Sequence, residues 1–421
     1  MDKLKNIWKI KSLRANVFIV LGMLVIFRAA AHIPVPGVDT QNLGRFLAEN
    51  QILGLLNLFS GGTIENFSLV MLGVAPYITA SIIFQLLQMV VPYFEELTKE
   101  GESGQRKLSL YTRWSSVPLA MLQAFGLVKL LSSQAGVFSA GDTFTFVCVV
   151  LAATAGTVFL MWIGELISEQ KIGNGISIMI FAGIIAAVPG IAQTLIVNYN
   201  PADLITYIMF AIVAIITIVA VVFISEGQRN IPVNYARSMA GGRGNAGSKS
   251  HLPLRVNMAG VIPIIFAISL VLFPPMIAQF FVASGGFVGR LANFTVEIFG
   301  NQWFYGILYF FLVFFFTYFY TAVIFKPDKI AENLQRQGGF IPGIRPGKET
   351  ESYLNHIMSR LVFTGALFLA IIAVLPHILQ GVTGVQSFAL GGTGLLIVVS
   401  VAIDIARQID AQIKMHEYDR I

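Results

Sequence analysis

Ten apolar runs alternate with polar segments along the chain. Most approach the length of about 20 apolar residues that an α-helix needs to cross the hydrocarbon core of a bilayer. They lie at residues 16–33, 67–91, 114–132, 144–164, 176–197, 204–224, 257–276, 303–325, 359–376 and 385–403. The pattern predicts ten membrane-spanning helices and places both ends of the chain on the same side of the membrane.

The stretch 54–91 differs from a pair of simple spans. Its first apolar piece, 55–59, is too short to cross a bilayer, and the glycine pair Gly61-Gly62 ends it. The second piece, 67–91, is long enough, but at about 100° per residue one side of it carries Val74, Ile78, Ser81, Gln85 and Gln88. A lipid-facing side would have no use for two glutamines. We interpret the stretch as a short re-entrant piece followed by a helix that lines something other than lipid.

Composition supports a membrane protein. Of the 421 residues, 56% are hydrophobic and only 12% are charged, and the mean hydropathy is +0.75. Soluble domains carry about 25% charged residues, so most of this surface faces an apolar medium. The single cysteine, Cys148, excludes an internal disulfide and a cysteine metal cluster. Because it lies in the apolar run TFVCVVLAAT, we expect it to be a buried structural thiol.

Basic residues predict the orientation of the spans. With ten crossings, only four of the 28 lysines and arginines fall on the side opposite to the termini, namely Arg28, Arg45, Lys129 and Arg290. Cytoplasmic loops are enriched in these residue types, so both termini are predicted to be cytoplasmic.

The basic segment 1–14 has apolar residues at helical spacing and is expected to form an amphipathic helix on an anionic leaflet. The alternative is a signal peptide cleaved near the alanines 29–31, which Arg28 and the many later spans disfavour.

Ten spans also divide into two groups of five, 1–203 and 204–421. Because each group has an odd number of spans, the second would enter the membrane from the opposite face. The predicted fold class is therefore an all-α polytopic membrane protein, with two inverted five-helix halves meeting near the membrane midplane. No clear sequence match joins the halves, so their relation is a hypothesis.

Two predicted cytoplasmic loops, 225–256 and 326–358, are unusually long, which suggests docking surfaces. In the second loop, Pro342-Gly343 and Pro346-Gly347 bracket Arg345 closely enough to predict a stiff tip that presents one arginine. The tip could bind lipid phosphate, or it could anchor a cytoplasmic partner, since arginine is enriched among interface hot spots.

Enzyme motifs are absent from the sequence. Gly242, Gly244 and Gly247 match the dinucleotide pattern G-x-G-x-x-G, but neither the required strand nor the required helix flanks them. No Walker A sequence occurs, the five histidines lack metal-ligand spacing, and no hydrolase triad is suggested. We expect no enzymatic activity, no cofactor and no metal.

An ion-coupled secondary transporter of a small solute is the serious alternative to a channel, since broken helices and inverted repeats are typical of transporters. Transporters usually place ionisable residues in mid-membrane. Here Arg28, Lys129, Glu165 and Asp404 all lie at predicted span ends, and the interiors offer uncharged groups instead. This pattern favours an unselective conduit.

Eight segments spread over the chain carry a family resemblance. They are FRAAAHIPVPGVD (27–39), LNLFSGG (56–62), APYITASIIFQLL (75–87), EGESGQRKLSLYTRW (100–114), LMWIGELISEQKIGNGISIMIFAGI (160–184), VNMAGVIPIIFA (256–267), FIPGIRPG (340–347) and GGTGLLIVV (391–399). Together they are highly specific, although no single one is. By these segments the chain resembles the SecY family, whose members form the central channel of the bacterial protein translocase.

The resemblance implies an hourglass channel that moves unfolded secretory polypeptides across the membrane and releases transmembrane segments into lipid. Its constriction would be a ring of branched apolar side chains: Val74, Ile78, Ile180, Ile265 and Ile397. Its plug would be the segment 53–66 on the extracellular side, including Leu55, Leu56, Asn57, Leu58, Phe59, Ser60, Gly61 and Gly62. Its lateral gate would lie between spans two and three and spans seven and eight, with Thr79, Gln85, Gln123 and Asn257 as candidates.

The resemblance also implies partners. They are the small membrane subunits SecE and SecG, the motor ATPase SecA, the ribosome, signal sequences and translocating polypeptides. Arg345 in one long loop, and Arg243 and Lys249 in the other, resemble docking positions for SecA or the ribosome. The implied location is the bacterial plasma membrane, where the basic cytoplasmic loops would also meet anionic lipids.

Overall fold

The chain folds into a bundle of long helices. A computed structural model describes residues 10–35, 42–44, 47, 51–133, 143–197, 204–235, 250–282, 286–383 and 387–418. Its helices are α1 (Lys11–Ala31), α2 (Gln51–Ser60), α3 (Ala75–Val90), α4 (Pro92–Lys99), α5 (Glu102–Ser133), α6 (Thr143–Glu169), α7 (Gly175–Val197), α8 (Leu204–Glu226), α9 (Ile262–Phe281), α10 (Gly286–Gly300), α11 (Gln302–Ile324), α12 (Pro327–Arg336), α13 (Lys348–Thr383) and α14 (Ser387–Tyr418). The strands are β1 (Gln228–Tyr235), β2 (Ser250–Arg255) and β3 (Gly339–Phe340).

The helices overlap all ten predicted apolar runs. Within the described residues, eight helices are long and apolar enough to cross a membrane, and the bent pair of α3 and α4 makes a ninth. Helix α7 adds a shorter apolar helix, Gly175–Gly190. The protein is therefore a multi-pass helical membrane protein, and the arrangement is consistent with the ten predicted spans.

The start of the second span differs from the prediction. Its helix begins at Ala75, and residues 61–74 form turns instead of a helix that starts near Phe67. Positive φ angles at Phe67 (42°) and Gly73 (58°) prevent a continuous helix there. Pro76 fits the first turn of α3, where no backbone N–H is needed. At the other end, Pro92 holds Val91 in an extended conformation, and α4 leaves α3 at 96°.

The outside of the bundle is as apolar as its interior. Ile205 and Phe223 of α8 are 72% and 75% exposed, as expected of side chains that face lipid. Cys148 is also exposed, so the predicted burial of this thiol was wrong. The reason is that lipid tails and a protein core are equally apolar, and an apolar run therefore does not distinguish an outward position from a buried one.

The N-terminal and C-terminal groups of helices meet along two lines. On one, α9 packs against α3 and α5; on the other, α14 packs against α7 and against the short helix α2. The division into 1–203 and 204–421, and the inverted relation of those halves, stay predictions.

A small unit outside the spans combines the two long loops. Strand β1 pairs antiparallel with both β2 and β3 in a sheet of order β2-β1-β3. Ile231 and Val233 alternate with exposed residues along β1 and enter a hydrophobic cluster with Leu254, Leu334 and Leu354. The sheet was not predicted, but the fold class remains helical. The predicted amphipathic segment 1–14 is described only from residue 10, and the glycine motif at 242–247 lies outside the described residues.

Candidate pore and plug site

A largely apolar cavity lies where α2, α3, α5, α7 and α9 converge. Its empty volume is about 830 Å³, including the part that is open to the surroundings. Its polar wall residues are Ser60, Thr79, Gln123 and Ser269, and the remaining lining is apolar. The cavity sits on the line where α9 of the C-terminal group packs against α3 and α5, so residues of both groups contribute to its wall.

Four of the five predicted ring residues line this cavity: Val74, Ile78, Ile180 and Ile265. The fifth, Ile397 of α14, does not line it but is fully buried in the same hydrophobic cluster as the other four. None of the five is more than 7% exposed. Val74 precedes α3 and its carbonyl accepts a bond from the Ile78 N–H (3.1 Å), which places these two side chains one turn apart on the same face.

The predicted plug begins as helix α2 and ends in a tight corner. Leu56 and Ser60 reach the cavity, while the side chains of Leu55, Leu58 and Phe59 lie outside the described part of the structure. Gly61 and Gly62 follow with φ angles of 78° and 79°, which only glycine adopts without strain. The prediction that this glycine pair ends the short helix is confirmed.

Hydrogen bonds between residues of the plug stabilise its corner. The Asn57 carbonyl accepts a bond from the Gly62 N–H (2.8 Å), and the Asn57 side chain accepts one from the Glu65 N–H (3.1 Å). Asn57 Nδ2 also donates to the Glu65 carboxylate (3.2 Å). The corner is therefore a compact hydrogen-bonded unit.

The corner lies in close contact with helix α7 at Gly61. A Cβ atom built on Gly61 would lie 2.7 Å from Cα of Gly183 in α7 and 3.3 Å from Nη1 of Arg28. Arg28 Nη1 donates to the Gly61 carbonyl at 2.8 Å. Sequence reasoning noted Arg28 only as a span-end residue. Its one signal was an arginine that interrupts an apolar run, which does not reveal what the guanidinium contacts.

The four gate candidates fall in different places. Thr79 and Gln123 lie on the cavity wall, opposite residues of α9. Gln85 lies farther along α3, where its Nε2 donates to Ser81 Oγ (3.1 Å) and its Oε1 has no partner among the described residues. Asn257 is separate from the other three: its side chain bonds both backbone groups of Gly260 (3.0 and 3.2 Å) beside a second, more polar pocket.

Several charged residues near the spans lie away from the cavity and form ion pairs. Arg113 contacts Glu165 at 2.5 Å, and Arg407 contacts both Glu226 (2.9 Å) and Asp404 (3.6 Å). Among the residues that the structure describes, no charged side chain lines the cavity itself. Within the described residues, no cluster of histidine, cysteine or carboxylate side chains could hold a metal ion.

Arg345 projects from the small unit outside the spans. Its flanking turns place Gly343 and Gly347 at φ angles of 83° and 102°, and its carbonyl accepts a bond from Thr350 Oγ1 (2.9 Å). Ile341 is buried in the cluster beneath it, whereas the Arg345 side chain is exposed. This geometry agrees with the predicted stiff tip. Arg243 and Lys249, the other docking candidates, lie outside the described residues.

Comparison with known proteins identifies the family. The family model for SecY matches residues 68–406, which is most of the chain. The chain belongs to the SecY family. It is 43% identical to the protein translocase subunit SecY of Halalkalibacterium halodurans, over 99% of this chain and 98% of the relative. It is also 43% identical to the subunit of the same name from Corynebacterium glutamicum, over 100% and 99% of the two chains.

Solved structures of low sequence identity share the fold of this SecY-family chain. One, described as the structure of a protein conducting channel, has a TM-score of 0.64 at 18% identity and is matched over 93% of this chain and 90% of its own. Another is Sec61 in the canine ribosome-channel complex from the endoplasmic reticulum, with a TM-score of 0.62, 17% identity and the same two coverages.

Gly61 and Gly62, at the corner of the SecY-family plug, provide a matched test of the contact between the plug and α7. Gly61→Ala and Gly62→Ala both impose a side chain on a positive φ, but only the Cβ at residue 61 would collide with Gly183, since nothing lies within 4 Å of the one at residue 62. We therefore expect Gly61→Ala to expose the plug and Gly62→Ala to do so much less. The rate of thiol labelling at Leu56→Cys, in a Cys148→Ser background, measures this exposure. Equal labelling of the two variants would contradict the proposed contact with α7.

Proposed function

We propose that this chain is the channel of a protein translocase, moving unfolded polypeptides across the membrane and releasing apolar segments sideways into lipid. The observation that carries the proposal is the apolar cavity between the two groups of helices, which is lined by branched side chains and by Leu56 and Ser60 of the short helix α2. Membership of the SecY family and near-complete alignment with translocase subunits support it.

In this proposal Val74, Ile78, Ile180, Ile265 and Ile397 form the constriction. A conduit for polypeptides of any sequence cannot offer specific hydrogen bonds, since these would retain some chains and not others. Branched apolar side chains offer weak and uniform contacts. When empty, such a constriction also resists wetting and thereby hinders ion leakage.

The plug, 53–66, would complete the closed state. Leu56 and Ser60 already reach the cavity, so α2 occupies the path of a translocating chain. Displacement of α2 would then clear the path. A solved relative whose description assigns the SecY plug a role in stabilising the closed channel has a TM-score of 0.60 with this chain.

Sideways release would use the line between α3 and α5 on one side and α9 on the other. Separation along this line would connect the cavity directly with the surrounding lipid. Thr79 and Gln123, which lie on the cavity wall next to the line, are proposed as gate residues, together with Gln85 farther along α3. Asn257, which shapes a turn at the separate polar pocket, would act on the gate through the position of α9.

The partners follow from the same proposal. The chain has no nucleotide motif and would catalyse no reaction itself, so a motor such as SecA or a translating ribosome would supply the driving force. Arg345 on its rigid tip, with Arg243 and Lys249 in the neighbouring loop, would dock them. SecE and SecG would complete the complex in a bacterial plasma membrane, with both termini and the basic loops on the cytoplasmic side near anionic lipids.

An ion-coupled transporter is the second candidate, suggested by the broken second span. The described charges argue against it, because Glu165 and Asp404 face arginines rather than the cavity. Saturable uptake of a small solute by this chain alone would favour the transporter.

The decisive experiment for the channel is a crosslink to a polypeptide in transit. A photoreactive residue at position 78 should label a stalled secretory chain, because Ile78 lies on the cavity wall. The same probe at Ile83, which is on α3 but 41% exposed at its outer surface, is the matched control. No labelling from position 78 in an actively translocating complex would contradict the proposal.

Polar substitutions should weaken the seal of the closed channel. Ile78→Ser and Ile265→Ser place hydroxyl groups in an otherwise apolar constriction and favour its wetting. We expect a several-fold rise in ion conductance of the idle complex in planar bilayers, and none for Ile83→Ser. Unchanged conductance would mean that these isoleucines only pack.

Reversing the charge at Arg345 should abolish preprotein transport in reconstituted vesicles. The substitution Arg345→Glu alters an exposed side chain, so we expect the channel itself to assemble normally. Lys329→Glu makes the same charge change on the exposed face of α12 and serves as the control. Normal transport by Arg345→Glu would exclude the docking role.

A further inference from the structure

Arg28 is a cation with an unusual partner. It lies in the last turn of α1 and is half-buried, and its Nη1 donates to the backbone carbonyl of Gly61 at 2.8 Å. No carboxylate lies within ion-pair distance of it among the described residues. A guanidinium carries five donors, and a hydrogen bond from a charged donor is roughly twice as strong as one between neutral groups. The contact therefore fixes the carbonyl that ends the plug helix.

The same carbonyl belongs to the residue that touches α7. Gly61 and Gly183 approach backbone to backbone, and a Cβ built on Gly183 would lie 3.0 Å from Cα of Gly61. Gly61 is thus contacted from two directions, by the Arg28 side chain of α1 and by the Gly183 backbone of α7. Neither contact involves the C-terminal group of helices.

The segment that follows the corner is fixed to the same part of the molecule. The Val35 N–H donates to the Phe67 carbonyl (2.8 Å), and the Leu69 N–H donates to the Ile33 carbonyl (3.0 Å). A Cβ on Gly156 of α6 would collide with the carbonyl of Leu69, so the turn also rests directly on that helix. The C-terminal end of the plug is therefore hydrogen-bonded to Arg28 of α1, followed by chain that is bonded to residues 33–35, and it lies in close contact with α6 and α7.

The body of the plug helix contacts both groups of helices. Helix α2 packs mainly against α7 and also against α14, and Leu53 is buried in a cluster with Val128 and Leu131 of α5. Leu56 faces the cavity, which α9 also lines. The position of α2 in the cavity therefore depends on these packing contacts together with the anchored corner at Gly61.

We propose that Arg28 is a positioning residue that pins the C-terminal end of the plug and thereby sets where α2 sits in the cavity. This inference rests on the proposed channel function and assigns Arg28 a part in it. Arg28 touches neither the constriction residues nor a translocating chain in this arrangement. It acts through the Gly61 carbonyl.

The test measures where the plug lies in the idle complex, without any translocation. In a Cys148→Ser background, Leu56→Cys and Ile268→Cys place thiols on opposite walls of the cavity, one on the plug and one on α9. A short bifunctional thiol reagent reports how often the plug is seated. We expect Arg28→Met to lower the crosslinking rate by about tenfold, the effect of losing one charge-assisted bond.

Two variants separate positioning from a general role in folding. Arg28→Lys keeps a charged donor and should restore much of the crosslinking, although lysine presents a single ammonium rather than a planar fork. Lys129→Met removes a cation near the end of another span, where it lies over Phe125 and away from the plug, and should leave crosslinking unchanged. Gly183→Ala, with Arg28 intact, should lower crosslinking by pushing Gly61 from its seat.

The outcomes distinguish this inference from the channel proposal. Crosslinking of Arg28→Met at the unaltered rate would overturn the pin, whether or not the complex conducts polypeptides. No restoration by Arg28→Lys would also overturn it. Reduced crosslinking with unchanged ion conductance of the idle complex would uphold the pin and contradict the sealing role of the plug.

Discussion

Backbone groups at the depth of a bilayer have no water to bond, so non-helical chain is tolerated there only where the protein itself supplies partners. Residues 61–74 are such chain, placed between the short helix α2 and the helix α3. Their peptide groups bond to one another, to residues 33–35 and, at Gly61, to Arg28. This constraint shapes the site, because the bonds that make the turn permissible also determine where the plug helix ends and which helices contact that end.

The second determinant is the distribution of apolar surface. Lipid covers the outside of the bundle and leaves no hydrophobic force to drive the spans together, so close packing and internal bonds must do so. Glycines allow this closeness at Gly156 against Leu69 and at Gly183 against Gly61. The two groups of helices meet across the cavity, whose wall is lined mainly by apolar side chains. Hydrogen bonds between the groups lie elsewhere, at Ser12 with His416 and at Gln412 with the Lys171 carbonyl.

The charged residues are arranged around this apolar centre. Arg113 with Glu165 joins α5 to α6, and Arg407 with Glu226 joins α14 to α8, while Arg407 also pairs with Asp404 on its own helix. Arg28 lies at the plug, and Arg345 lies on a separate unit whose sheet and hydrophobic cluster hold it apart from the spans. Sealing, gating and docking would therefore depend on different parts of the chain, connected by the packing of α9 and α14 against the N-terminal helices.

The amino-acid sequence alone determined the number of apolar runs and their helical character, because a spanning helix must be apolar over about 20 residues and satisfies its own backbone bonds. It also located the short helix before Gly61-Gly62, and its motifs named five predicted constriction residues that the structure places in one hydrophobic cluster. Three features required the tertiary structure. Cys148 faces outward, which hydropathy cannot reveal, since lipid and core are equally apolar. The sheet buries Ile231 and Val233 of β1 against Leu334 of α12 and Leu354 of α13, which lie about a hundred residues away in the chain. The bond from Arg28 to Gly61 joins residues far apart in the chain, and no local pattern encodes it, because it depends on how α1, α2 and α7 pack together.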